Sequence, residues 1–394
     1  MAAVRTRRSF LRFSSLLAAG PVASTLLGLP GLARAAAQCG AGVSVGIAAG
    51  TRQALLQEVL DPLLAPAGLV PSYQVASALA QRTRIRAEVG ARKPTLDLVV
   101  LRDRELRAIQ MEGGLAPIDA QAVTRGAQVL PALQSPSAIP YAWTGLVLVY
   151  DKSKFKAPPD SLAALLEPAA ESASKDVAKD ASKDAAKDAS GKDSSEKTGA
   201  ANGAASGAGQ SRDHIGLLDG MPVTLAIAGA LAAGKGAADL DAGRAWLTAL
   251  RGQGARAYYD ENSLARAFRH GQVRAALVWR STALKWKKDG LDLASVVPRE
   301  GLIPSVSQAA PVAAGPNRAC AAAFLNALLD VKVQQALAAR LYLTPAVVDA
   351  ALPPESQAVA FAPAELERVV KRDMDLLVRS EADLNTFWNA TFHA

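Results

Sequence analysis

The sequence predicts an α/β fold, with short buried strands alternating with helices. Three observations carry this. Half of the 394 residues are apolar, and a chain of this length can build two ordinary domains with sizeable cores. Two apolar runs of strand length, "VSVGIAA" (43–49) and "TLDLVVL" (95–101), are each followed by a helical pattern. The buried-strand runs "GLVLVY" (145–150) and "VRAALVW" (273–279) continue the theme. Strands alternating with helices imply a parallel sheet with helices on both faces.

After the first strand, "TRQALLQEVLDPLLAPAG" reads as a helix with Thr51 as its N-cap and Gly68 beyond its end. "QRTRIRAEVGARKP" continues as helix and turn, and "DRELRAIQMEGG" is a helix ending in glycine. From 214, the Ala- and Gly-rich run Ala226–Ala233 implies a closely packed helix, and "AGRAWLTALR" an amphipathic one with Trp246 and Leu250 four apart. "ARAYYDEN" reads as a strand entering a turn, and "SLARAFRHGQ" as a helix capped by Ser263 and ended by Gly271. "PNRACAAAFLNALLDVKVQQALAARL" supplies two helices, and the tail from Pro363 is helical and charged.

Between these parts, residues 169–213 are rich in Ser, Lys, Asp, Ala and Gly, with Lys-Asp recurring from Lys175. Almost no large apolar side chain is present to offset ordering entropy, so this stretch reads as a disordered surface insertion.

The formal charge of +8 is largely N-terminal. Arg5, Arg7, Arg8, Arg12 and Arg34 fall in the first 35 residues, which hold no acid; without them 39 basic residues face 36 acidic ones. No nucleic-acid partner is expected from so even a balance. A basic start, an apolar stretch interrupted by Gly and Pro, and the small-residue site at Ala33–Ala35 read as a signal peptide over 1–35, cleaved near Ala35 to Ala37. Thr6-Arg7-Arg8-Ser9-Phe10-Leu11-Arg12 matches the twin-arginine export pattern, so the twin-arginine translocase is an expected partner and the periplasm the expected location. There an oxidising milieu permits Cys39 and Cys320 to bond, but two separate thiols are the plainer reading of the sequence. His214, His270 and His393 lack ligand spacing, so no metal or other cofactor is expected.

Two literal motifs mislead. "GVSVG" (42–46) has the spelling of a nucleophile elbow, but Ser44 falls inside the first strand, not at a strand-to-helix turn. "GALAAGKG" (229–236) approaches a phosphate loop but lacks the closing hydroxyl.

At "AIPYAWTGLVLVYDKSKF" (138–155) the chain resembles the solute-binding proteins of ABC importers, in particular their polyamine (spermidine/putrescine) branch. "RAEVGARKPTLDLVVLRDRELRAIQMEGGLAPID", "IGLLDGMPVTLAIAGALAAGKG", "LARAFRHGQVRAALVWRSTALKWKKDGLDLASVVPREG" and "RACAAAFLNALLDVKVQQALAARLYLTPA" follow that family's order. The resemblance implies a two-lobed, type II-like periplasmic binding fold with mixed or parallel sheets flanked by helices and a ligand cleft between the lobes. Lobe 1 is expected over 40–140 and again over 295–394, which includes the C-terminal helices; lobe 2 is expected over 141–294. It further implies capture of a small polar solute, polyamine-like or a small organic ion, by hinge closure. The chain would be a monomer, without enzymatic activity, working with a permease and ATPase complex.

Carried onto this sequence, the resemblance makes Trp279 a stacking wall and Asp219 an amine-facing acid. The family's second acid is here Val223 or Thr224, and its later aromatic-Asp pair is replaced by "IPSVSQ". Thr51 stands at a helix N-terminus able to hold an anion, and Arg280 adds positive charge. Tyr141 and Trp143 stand where the chain crosses between lobes, alternation turns them to one face, and Tyr141 is expected to border the cleft with Trp143 packed beneath it; Tyr259 follows Tyr258 in a pair like that of iron-binding relatives. With Ser77 and Ser307, these residues form the candidate ligand-binding set. The alternatives are an exported α/β enzyme, a hydrolase or another, using Ser44 or a different site, and a periplasmic ligand sensor without transport.

Overall fold

The computed structural model describes residues 42–166 and 214–394. The signal-peptide reading, Cys39 and the 169–213 insertion lie outside the described residues.

The first half alternates strand and helix: β1 (Gly42–Ile47), α1 (Thr51–Leu64), β2 (Val70–Val75), α2 (Ala78–Gly90), β3 (Leu98–Arg102) and α3 (Asp103–Met111). A long strand β4 (Ile139–Tyr150) follows, all twelve of its residues buried. Then come β5 (His214–Leu218), α4 (Pro222–Ala232), α5 (Leu240–Gly252), β6 (Arg256–Tyr258), α6 (Glu261–Arg269), β7 (Val273–Trp279) and α7 (Arg280–Lys288). The chain returns through β8 (Ala294–Val296) and β9 (Pro304–Pro311) to α8 (Arg318–Leu328), α9 (Val331–Leu341), β10 (Thr344–Pro345), α10 (Pro363–Leu366), α11 (Met374–Arg379) and α12 (Glu381–Phe392).

The strands hydrogen-bond in the order β2-β1-β3-β9-β4-β7-β5-β6, with β8 and β10 also paired to β4. β2, β1 and β3 run parallel, as do β7, β5 and β6. β9 lies antiparallel between β3 and β4, so the sheet is mixed. β4 serves both halves: Ile139–Gly145 pair with β9, and Leu146–Tyr150 pair with β7. Gly145 sits at this change of partner because a Cβ there would come within 2.2 Å of Leu302. The second crossing is the segment from β8 to β9, whose Gly301 has φ 146.

Strand direction places the functional region. β4 runs antiparallel to β7, with Leu146 opposite Trp279. The carboxyl ends of β5, β6 and β7 therefore face the crossing. β3 is antiparallel to β9, with Arg102 opposite Ser307 and Leu98 opposite Pro311. The carboxyl ends of β1, β2 and β3 face the same crossing from the other side.

β2 escaped the sequence reading. It is an edge strand with its burial alternating, and it contains Pro71, features that weaken a strand signal. Two cap expectations are corrected. Gly50, not Thr51, is the N-cap of α1, with no side-chain cap bond. Asp260, not Ser263, caps α6, its carboxylate accepting from the Ser263 N–H at 2.7 Å. The expected close packing at Ala226–Ala233 has a partner: a Cβ on Gly243 of α5 would lie 2.0 Å from the Ala226 carbonyl oxygen of α4.

The C-terminal helices form a third link between the halves. α11 docks on α3 through Arg107–Asp375 and the Arg372–Asp103 pair at 2.7 Å; Arg104 reaches Glu381 at 2.9 Å. α12 packs on α4 and α5 in the second half. Cys320 is buried in α8 and disulfide-bonded.

Candidate functional site

Ligands of open α/β sheets sit outside the carboxyl ends of the strands, because side chains and helix N-termini there are free of the sheet. Here six such ends meet across β4 and β9. On one flank, Arg102 and Asp103, Met221 and Thr224, Trp279 and Ser305 line a small cavity of about 40 Å³, room for about three water molecules. Ser305 and Ser307 are two apart on β9 and so share a face. They make the floor of the crossing, and Ser307 continues it toward the opposite flank.

That flank is built by a bulge. β4 and β9 pair as Pro140 with Gln308, then Ala142 with Ser307, leaving Tyr141 as the extra residue. Plain alternation would turn Tyr141 and Trp143 to one face; a bulge re-aims the extra side chain. Burial pushes the Tyr141 phenol pKa up, and Arg52 of α1 and Ser307, both beside the hydroxyl, oppose that shift. Neither neighbour meets hydrogen-bond geometry, so among the described residues this enclosed hydroxyl has no partner. The Arg52 Nε is likewise enclosed and without a partner, while the residue as a whole is half-buried.

The remaining candidates divide by what already holds them. Trp143 is core: it is 1% exposed, its indole N–H donates to the Pro345 carbonyl at 3.1 Å, and it stacks on Phe361 at 4.7 Å. Trp279 is half-buried at the end of β7 with its ring in the cavity lining. Arg280 lies over the Phe361 ring at 4.3 Å and pairs with Glu365 at 3.4 Å. Its charge is therefore engaged by the fold, not by the cleft. Thr51 is exposed in the first turn of α1, at the end of β1. Ser77 caps α2, its hydroxyl accepting from the Ala80 N–H at 3.2 Å.

Asp219, offered by the sequence as the acid for an amine, is held by the C-terminal helix. Its Oδ1 accepts from the Trp388 indole at 2.8 Å and meets the His393 ring at 2.9 Å. Tyr259 stands on the loop after β6, 85% exposed. Its neighbour Tyr258 turns instead to His214, 2.7 Å from Nε2, so the two tyrosines do not act as a pair. Among the described residues, no group of His, Cys, Asp and Glu is arranged to hold a metal ion. Ser44 lies within β1 with its N–H on Asp97 at 2.8 Å, away from any strand-to-helix turn. Sequence reading missed Arg52. The signal was there in outline, a basic residue next to Thr51, but its importance depends on a bulge 89 residues away in β4.

Comparison with known proteins agrees with this geometry. Comparison with curated protein sequences finds no match. Solved structures share the fold at low identity. An ABC transporter from Clostridium perfringens superposes with a TM-score of 0.70 at 15% identity, covering 89% of this chain and 99% of that one. The spermidine/putrescine substrate-binding protein PotD from Streptococcus pneumoniae gives 0.62 at 16%, covering 88% and 99%. The PBP MotA from A. tumefaciens B6, in complex with glucopine, gives 0.61 at 17%, covering 89% and 99%. The sequence profile described as "Bacterial extracellular solute-binding protein" matches residues 77–364, well over half of the chain. With the two-lobed α/β fold and its converging strand ends in place, the chain belongs to the bacterial extracellular solute-binding protein family.

Proposed function

We propose that this protein is the periplasmic solute-binding component of an ABC-type importer, capturing a small polar solute between two lobes that close about a hinge. The lobes we assign are 40–140 with 295–394, and 141–294, joined through β4, the β8–β9 segment and the C-terminal helices, of which α12 packs on the second half. The observation that carries the reading is the meeting of six strand ends around Trp279, Ser305, Ser307 and Tyr141. The cavity of about 40 Å³ at the crossing is lined from both halves, by Arg102 and Asp103 on one side and Met221, Thr224 and Trp279 on the other, as a cleft between closing lobes is. Closure then presents one shape to a permease and ATPase complex. Tyr259, exposed beyond β6, belongs to the rim that closes.

Export by the twin-arginine route and action as a monomer complete the proposal. Polyamine specificity has little support in the site: Asp219 is engaged by α12, and the second acid is missing. A desolvated dication without carboxylates is costly. Solved structures of the same fold are described with spermidine/putrescine, glucopine and GABA, so the fold does not dictate the ligand.

The test is a thermal-shift screen of the purified protein against polyamines, amino acids, organic anions and ferric ion. A true solute at 100-fold over its dissociation constant adds about 2.7 kcal/mol of stability, a readily measured rise in melting temperature. No rise with any of them counts against solute capture.

A further inference from the structure

We propose that Arg52, Tyr141 and Ser307 form the receiving end of the solute site and that the solute they take carries a carboxylate. The inference rests on the solute-capture reading and names its chemical class.

Arginine stays charged under all ordinary conditions. Its burial, even partial, costs free energy unless an anion or acceptors meet it. Among the described residues, no carboxylate pairs with Arg52, and its Nε is enclosed without an acceptor. The other arginines at the crossing are matched: Arg102 by Glu105, Arg104 by Glu381, Arg280 by Glu365 and Arg372 by Asp103.

The position sharpens the need. Arg52 stands in the first turn of α1, where unsatisfied N–H groups make the helix end positive. No acidic residue offsets it there, and the Gly50 cap supplies no side-chain acceptor. α3 and α6, by contrast, begin with acids. A cation at an uncapped helix N-terminus is unfavourable in the empty fold and favourable once an anion arrives. The Tyr141 hydroxyl, fully enclosed and unpartnered beside Arg52, adds a second donor, and the Ser307 hydroxyl a third.

One guanidinium with two hydroxyls suits the two oxygens and single charge of a carboxylate. It undercompensates a dianionic phosphate. From Ser307 the floor continues to Ser305 about 7 Å away, with Trp279 beyond it in the cavity lining. A solute of roughly four-carbon length spans this floor.

Titration calorimetry of the full chain with succinate, γ-aminobutyrate, putrescine and inorganic phosphate separates the outcomes. Succinate or γ-aminobutyrate should bind, and putrescine and phosphate should not. Arg52→Gln should weaken carboxylate binding at least tenfold, and Tyr141→Phe several-fold, with both variants melting as cooperatively as the parent. Binding of putrescine or phosphate without either carboxylate overturns the inference and leaves solute capture standing. So does carboxylate binding that Arg52→Gln leaves unchanged. No binding by any of these probes or by any solute of the thermal-shift panel overturns both.

Discussion

At the crossing, polar side chains of similar type have opposite duties, and their partners tell them apart. Trp143 and Tyr141 stand two apart on one strand. The first donates to Pro345 and stacks on Phe361; the second ends in a hydroxyl with no partner. Trp143→Ala should therefore destabilise the fold by about 3–5 kcal/mol, read as a lowered midpoint in chemical denaturation. A variant with an unchanged midpoint would show that the ring is not core. The sequence made both aromatics conspicuous because the chain holds so few. Sequence reading favoured Tyr141 for the cleft and Trp143 for the packing beneath it, but it missed the bulge that re-aims Tyr141, which depends on the register of β4 against β9, strands more than 150 residues apart. Asp219 is similar: an acid in a turn after a strand was legible, whereas its bond to Trp388 joins residues 169 apart in sequence.

Elements with strong local signals were read nearly to their ends, including β1, β3, β7 and the helix pair α8 and α9. β2 was not, because an exposed edge strand carrying Pro71 lacks the apolar run of a buried one. The docking of α11 on α3 was also hidden, since it rests on charged residues that each look like ordinary helix surface. It has a pH consequence. Arg107 holds the Asp375 carboxyl below its usual range, and Arg82 does the same for Glu112 at the end of α3. A carboxyl with a depressed folded pKa contributes stability that is present above the unfolded value of about 4. That contribution is lost as pH falls through the lower folded value. Melting temperature should therefore drop on acidification below about pH 4, and less steeply in Asp375→Asn, which should already melt lower at pH 7. Parallel pH profiles for the two proteins would show that this pair does not stabilise the fold.

Across the whole molecule, β4 is one strand doing two jobs, and the change of partner at Gly145 lets two half-sheets face each other with their carboxyl ends inward. That arrangement was expected from the order of motifs; the third link, through α11 and α12, was not. Its α12 end holds Asp219, so the acid suited to an amine anchors the tail instead. Of the five tryptophans, Trp143, Trp246, Trp286 and Trp388 are buried to within 4% of full enclosure, and Trp279 alone is half-buried in the cavity lining. Capture at the meeting of the strand ends must therefore be visible in its fluorescence. The decisive measurement is tryptophan emission of the parent and of Trp279→Phe, each titrated to saturation with a solute that raises the melting temperature. The account predicts an emission change in the parent that disappears in the variant while the thermal shift persists. An emission change of equal size in both proteins, or none in the parent at saturation, would place the solute elsewhere.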